Sequence, residues 1–198
     1  YSARKSSIIW SNIISLKQPL PADIRNLNIT GVVRNAKKRI ENGLVDKTFE
    51  IVKRYTKMVE KNVFLHRRDK KGIYPKGLGD YDVLAYWPEK NLILNIEDKD
   101  ILPPFCLKDA KTLRDEIFGR SDVHKGYVGK VEKRASYLSQ HLKEISVIFN
   151  WKIVSYEFPT VISIFVSRHS YWWTKYPPRD TNVRFVRIDM LDNLISTL

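Results

Sequence analysis

Two strand-length runs, Asp82 to Trp87 and Leu92 to Lys99, are separated only by Pro88–Glu89–Lys90–Asn91. A connection that short leaves room for a hairpin and nothing larger, so the two runs pair antiparallel inside one sheet. Leu92, Leu94 and Ile96 face one way, and Ile93, Asn95, Glu97 and Lys99 the other. Each strand carries acid at the same end of the hairpin: Asp80 and Asp82 before Val83–Leu84–Ala85, and Glu97 and Asp98 after Ile96. Lys99 lies two residues beyond Glu97 and therefore on the same face. Two carboxylates and an ammonium on otherwise apolar strands suit a hard divalent cation held beside a phosphate and a water molecule.

Around this hairpin the pattern reads as helix, three strands, helix, then more strands. Val45, Phe49, Val52, Val59 and Val63 suggest one helical stripe, with Thr56 filling its gap. Val63 to Arg67 then reads as a short strand and Asp69 to Gly79 as a loop. Leu107 to Phe118 is a short helix closed by Gly119. A long helix follows from about Lys125 to Ile145, with Tyr127, Val131, Ala135, Leu138, Leu142 and Ile145 as its stripe and Ser121 or Asp122 as N-cap. Trp151 to Tyr156, Val161 to Val166 and Val183 to Ile188 read as strands, and Asp192 to Leu198 as a closing turn or helix. Residues 1–44, with a short basic helix over Val32 to Ile40, read as an accessory segment or the end of an upstream domain; residues 45–198 form the main domain. A three-strand meander with helices before and after it is a mixed α/β layer design.

The 198 residues carry 35 Lys+Arg against 22 Asp+Glu, a formal charge of +13. Lys53, Arg54, Lys57, Lys61, Arg67, Arg68, Lys70, Lys71 and Lys76 are opposed between Lys53 and Lys76 only by Glu60 and Asp69, so the excess concentrates just before the acidic motif. Such a balance points to a polyanionic partner, nucleic acid before anionic membrane. Lys130, Lys133 and Arg134 on the second helix extend the candidate contact surface.

No run of apolar residues is long enough to span a bilayer. A single cysteine, Cys106, excludes an intramolecular disulfide, fits a reducing intracellular compartment and reads as a small core residue. The chain opens at Tyr1 without methionine, as a fragment or processed form would, and nothing there reads as a signal peptide. His66, His124, His141 and His169 share no metal-ligand spacing, and His124 is a candidate phosphate contact. No glycine-rich phosphate loop is present, so no nucleotide cofactor is indicated. Tyr171–Trp172–Trp173 with Tyr176, beside Arg168, Lys175 and Arg179, reads as a loop packed on the core, with stacking on exposed bases as its functional alternative.

Gly79–Asp80–Tyr81–Asp82–Val83–Leu84–Ala85 followed by Glu97–Asp98–Lys99 resembles the PD-(D/E)xK nuclease superfamily, the restriction-endonuclease-like fold. The family's αβββαβ order, with a central mixed sheet flanked by helices, is the order read above. The resemblance runs from Asp46 to Ile188. It implies that Asp82 is the motif aspartate and that Glu97 and Lys99 are the (D/E)xK pair. Glu50 stands where many members carry a helix glutamate that completes the metal shell; its bland reading is a surface pair with Arg54. The sequence departs from the pattern in having Tyr81 where the motif proline stands and Asp98 between Glu97 and Lys99, while Asp80 competes with Asp82.

The resemblance implies a Mg²⁺-dependent DNA endonuclease, with Mn²⁺ as substitute, that leaves 5′-phosphates. Asp82, Glu97, Glu50 and the backbone carbonyl of Asp98 are the implied metal ligands, and Lys99 steadies the attacking water. Lys53, Lys57, Arg67, Arg68, Lys70, Lys71, Lys76, Lys130, Lys133 and Arg134 are the candidate nucleic-acid contacts. A DNA-associated location inside the cell and a homodimer or larger nuclease complex accompany that reading. An RNA-cleaving member, or a non-catalytic binding module on the same fold, are its rivals.

Overall fold

The computed structural model describes residues 27–68, 74–104, 106–120, 125–153, 158–178 and 180–198. Its centre is a five-stranded mixed sheet whose strands lie side by side in chain order: β1 (Met58–Val63), β2 (Tyr81–Trp87), β3 (Leu92–Lys99), β4 (Thr160–Ser167) and β5 (Val183–Arg187). The β1–β2 and β2–β3 pairs are antiparallel, while β3–β4 and β4–β5 are parallel. Parallel neighbours need a long crossover. Between β3 and β4 it is built from α3 (Leu107–Phe118), α4 (Gly126–Gln140) and α5 (Leu142–Phe149).

Helices cover both faces. On one, α1 (Leu27–Val52) and the terminal α7 (Leu191–Ser196) bury Leu44, Val45, Ile51, Val52, Leu191 and Ile195 against Val83, Ala85, Leu94, Ile96 and Ile164. On the other, Leu138, Leu142 and Ile145 pack on Leu84, Tyr86 and Ile93. Leu113, Ile117, Val128 and Val131 pack with Phe165 and Phe185. Covered on both sides, β3 is buried from Leu92 through Asp98, so both of its alternating faces lie inside the protein. Among the described residues there are also two short helices, α2 (Leu65–Arg68) after β1 and α6 (Trp172–Lys175) after β4, and three 3₁₀ turns, Lys76–Leu78, Pro88–Lys90 and Ile188–Met190. No helix among the described residues is long and apolar enough to cross a membrane.

The α/β layering and the strands β2 to β5 follow the sequence reading, and several local expectations are corrected. The helix α1 continues unbroken from Leu27 to Val52, so the boundary expected at residue 44 falls inside it, beside the core residue Leu44. It stops at Val52, and Val59 and Val63 belong to β1. The Thr56 hydroxyl donates to the Tyr86 carbonyl and accepts the Met58 N–H, which ties the turn between helix and strand. The expected strand at Val63–Arg67 is the end of β1 plus the single turn α2. The long second helix is two, divided at His141, whose backbone departs from helical values at φ −122° and ψ 27°. Trp151 to Ile153 carry no strand, and residues 154–156 of that expected strand lie outside the described residues, as do the expected N-cap at 121–122 and His124. Cys106 is exposed at the start of α3, not in the core.

Candidate metal and phosphate site

The β2–β3 ladder runs from Trp87↔Leu92 to Val83↔Ile96, and Asp82 and Glu97 are the next residues past its end. The strands part there, so two acids that pleating aims at the same face stand beside each other without needing a loop. The Asp98 N–H donates to Asp82 Oδ2 at 2.8 Å and fixes that carboxylate. The Lys99 ammonium bridges the pair, 2.5 Å from Glu97 Oε1 and 3.7 Å from Asp82 Oδ2. Asp80, which competes with Asp82 in the sequence, is directed elsewhere. Its carboxylate lies 3.9 Å from His66 Nδ1, and only its backbone carbonyl reaches the cluster.

A second cation completes the arrangement. Arg134 of α4 places Nη2 2.5 Å from Glu97 Oε2 and donates Nη1 to the Asp80 carbonyl, with its guanidinium 5.2 Å from the Tyr81 ring centre. Each Glu97 oxygen therefore has its own cation. Arg134 is 2% exposed, so its expected role as a surface grip on nucleic acid is corrected to an internal tether between α4 and the acid pair. Tyr127, the second residue of α4, stands with its ring centre 4.8 Å from the Lys99 ammonium and 5.4 Å from that of Lys130. Gly126 makes this start of α4 possible. Its φ is +58°, and a Cβ would lie 2.6 Å from both the Gly119 nitrogen and the Ile117 carbonyl at the end of α3.

Charge follows from burial and neighbours. Burial, then repulsion from Glu97, pushes the Asp82 carboxyl up to about 6 against the partial relief of Lys99. Burial would also raise Glu97, but Lys99 and Arg134 outweigh it and hold that carboxyl below its usual range. Burial alone would lower Lys99, but Glu97 and Asp82 outweigh it and keep the amine charged. Asp98, on the opposite face, has its carboxyl pushed well up by burial; Thr48 of α1 donates to its Oδ1 at 2.7 Å, and its Oδ2 has no partner among the described residues. The Asp98 side chain is thus turned from the Asp82–Glu97 pair, which leaves its backbone carbonyl as the group available to that pair.

Glu50 is corrected. Thr48 is buried against the sheet, and Glu50, two positions on and about 200° round the helix, is exposed. The α1 residue that reaches the acid cluster is Thr48. Among the described residues no group of three or more His, Cys, Asp or Glu side chains is gathered to hold a metal ion. The available set is two carboxylates and a backbone carbonyl. This fits Mg²⁺, which is commonly bound through one or two carboxylates with waters and substrate phosphate completing its shell. The Asp82 carboxyl is raised first by burial and then by repulsion from Glu97, and a cation bound between the two acids would relieve the second of these.

The expected nucleic-acid contacts divide by position. Lys130 and Lys133 are exposed and, with Lys125, Tyr127 and Gly77, line a pocket of about 360 Å³ in which Glu116 is the only acid among the described residues. Arg67 and Arg68 are exposed just past Val63, which pairs with Tyr81 at the acid end of β2, although Arg68 is engaged by Glu60 at 3.2 Å. Lys53 and Lys57 are exposed at the other end, where Met58 pairs with Tyr86. That is roughly 15 Å along the strand from Asp82, so they are not part of the site. Lys70 and Lys71 lie outside the described residues, as does the side chain of Lys76. Comparison with family models, curated proteins and solved structures finds no match for this chain.

Proposed function

We propose that this chain is a Mg²⁺-dependent endonuclease of the PD-(D/E)xK type, on a restriction-endonuclease-like fold, acting on DNA. The observation that carries the reading is the convergence of Asp82, Glu97 and Lys99 where β2 and β3 part, with Lys99 within 3.7 Å of both acids and a lysine-lined pocket alongside. The element order and the mixed sheet support it, as does the formal charge of +13.

In this reading Asp82, Glu97 and the Asp98 backbone carbonyl would hold the ion. Bound Mg²⁺ supplies Lewis acidity toward the phosphate and an attacking water. The chain's own residues do the rest. The Asp98 N–H and Arg134 hold the two carboxylates in place, so little reorganisation is left for the reaction. Lys99, charged and fixed between the acids, donates to the attacking water and offsets charge that grows on the phosphate oxygens. Lys130 and Lys133 hold flanking phosphates. Water adds to phosphorus, the bond to the 3′ oxygen breaks, that oxygen takes up a proton, and a 5′-phosphate remains.

Incubation of the protein with supercoiled and linear DNA and Mg²⁺ at low salt should give cleavage that EDTA stops. Asp82→Ala, Glu97→Ala and Lys99→Ala should each abolish it. Cleavage of RNA alone would move the substrate class. DNA binding with no cleavage under any divalent ion would leave a binding module and overturn the proposal.

A further inference from the structure

Beside the lysine-lined pocket lies a second cavity of about 690 Å³ that shares Lys125 and Gly129 with it. The chemistry of its wall is different. Trp172 and Phe118 form an aromatic corner, with ring centres 5.9 Å apart, and Trp172 is 51% exposed although Tyr171 and Trp173 on either side are buried. The buried neighbours hold it in place: Trp173 stacks on Tyr171 at 4.5 Å, and Trp172 meets Trp173 edge-on at 5.4 Å. The aromatic segment is therefore half core and half surface, so the expectation that it simply packs is met by Tyr171 and Trp173 and corrected for Trp172.

Across the cavity, among the described residues, Arg114 and Lys125 are matched by Glu132 and Asp180, with Thr181 donating to Glu132 Oε1 at 3.0 Å. A phosphate gains nothing from a wall of equal and opposite charge. A flat, neutral group with ring N–H and exocyclic amino donors suits it, since it can stack on Trp172 and hydrogen-bond to the carboxylates. The neighbouring pocket, with three lysines to one acid among the described residues, suits the phosphate that joins such a group to the next. Tyr127 connects that pocket to Lys99.

From this arrangement we infer that the Trp172–Phe118 cavity binds an unpaired nucleobase. The substrate class is then DNA with a single-stranded base close to the scissile phosphate, as at an extension, flap or junction. A fully paired base cannot enter the cavity without leaving its stack. The inference rests on the nuclease reading for its location beside the scissile phosphate, while binding of the base itself is independent of cleavage.

Binding is measured in EDTA by fluorescence anisotropy, with a labelled duplex that carries a short single-stranded extension and with its counterpart abasic in the extension. The two have the same phosphates, so their affinity ratio isolates the base. The wild type should prefer the base-bearing DNA roughly 5- to 150-fold, the ratio that about 1–3 kcal/mol of aromatic stacking gives. Trp172→Ala should bring that ratio to near one, and Trp172→Phe should keep part of it, which separates lost stacking from misfolding. Equal affinity of the wild type for both DNAs overturns the inference, as does a preference that survives in Trp172→Ala. If Mg²⁺ gives cleavage without base preference, only the cavity assignment fails. If base preference appears without cleavage, only the nuclease reading fails.

Discussion

Replacing Arg134 by methionine tests how the acid pair is held. Met keeps much of the aliphatic volume and removes the guanidinium, which serves both Glu97 Oε2 at 2.5 Å and the Asp80 carbonyl. The Arg134 and Glu97 side chains are 3% and 7% exposed, so water replaces little of what is lost. Breaking a buried pair from one side costs about 3–5 kcal/mol, because the remaining charge stays buried. Lys99 still neutralises Glu97 through Oε1, so the lower part of that range, about 3 kcal/mol, is expected. With a urea slope of about 2 kcal/mol/M the midpoint should fall by roughly 1.5 M. Glu97→Met should also destabilise, and the double variant should lose clearly less than the sum, with a coupling of about 2 kcal/mol. Urea unfolding followed by circular dichroism measures all four proteins. Additive single effects, or a loss below about 0.5 kcal/mol in Arg134→Met, the size of an ordinary surface substitution, would refute the tether.

Asp82→Asn tests the raised carboxyl. A folded-state value of about 6 lies above the unfolded one, so the contribution of Asp82 is fully present at acid pH and is lost as pH rises through 6. The variant should therefore match the wild type near pH 4 and exceed its stability at pH 7 by roughly 2–3 kcal/mol; denaturant midpoints at the two pH values check this, and a constant difference contradicts it. Thr48→Val should cost about 1–3 kcal/mol by stranding the buried Asp98 oxygen, and Thr48→Val with Asp98→Val should recover most of it; thermal melts decide. Glu50→Gln should leave both unfolding and cleavage unchanged, because Glu50 is exposed on the far side of α1 from the acids; a large loss of cleavage would return it to the site.

The hairpin was legible because a short connection and alternating faces determine each other: once β2 and β3 pair, Asp82, Glu97 and Lys99 must meet at one end. The end of α1 was not. Val52, Val59 and Val63 have spacings of seven and four, and four is both a helical and an even, strand-like interval, so the pattern fits either structure. The real end is marked by Thr56, whose hydroxyl ties the turn, an interaction that no periodicity announces. Likewise Leu138, Leu142 and Ile145 keep helical phase across the break at His141. Arg134 and Thr48 were recoverable. Val131–Arg134–Leu138 and Leu44–Thr48–Ile51 each continue a buried stripe at intervals of three and four, and a polar residue on such a stripe needs a partner inside the protein. Charge alone assigns Arg134 to solvent, and a search of α1 for acids alone passes over the Thr48 hydroxyl that holds Asp98.

Calorimetric titration of Mn²⁺ into the wild type and the Asp82→Ala, Glu97→Ala and Lys99→Ala variants tests the division of roles at this site most directly. A site is expected in the wild type, with its loss in both acid variants and its retention in Lys99→Ala, since the amine competes with the ion for the two carboxylates instead of binding it. No measurable binding by the wild type, or equal binding by all four proteins, would contradict it.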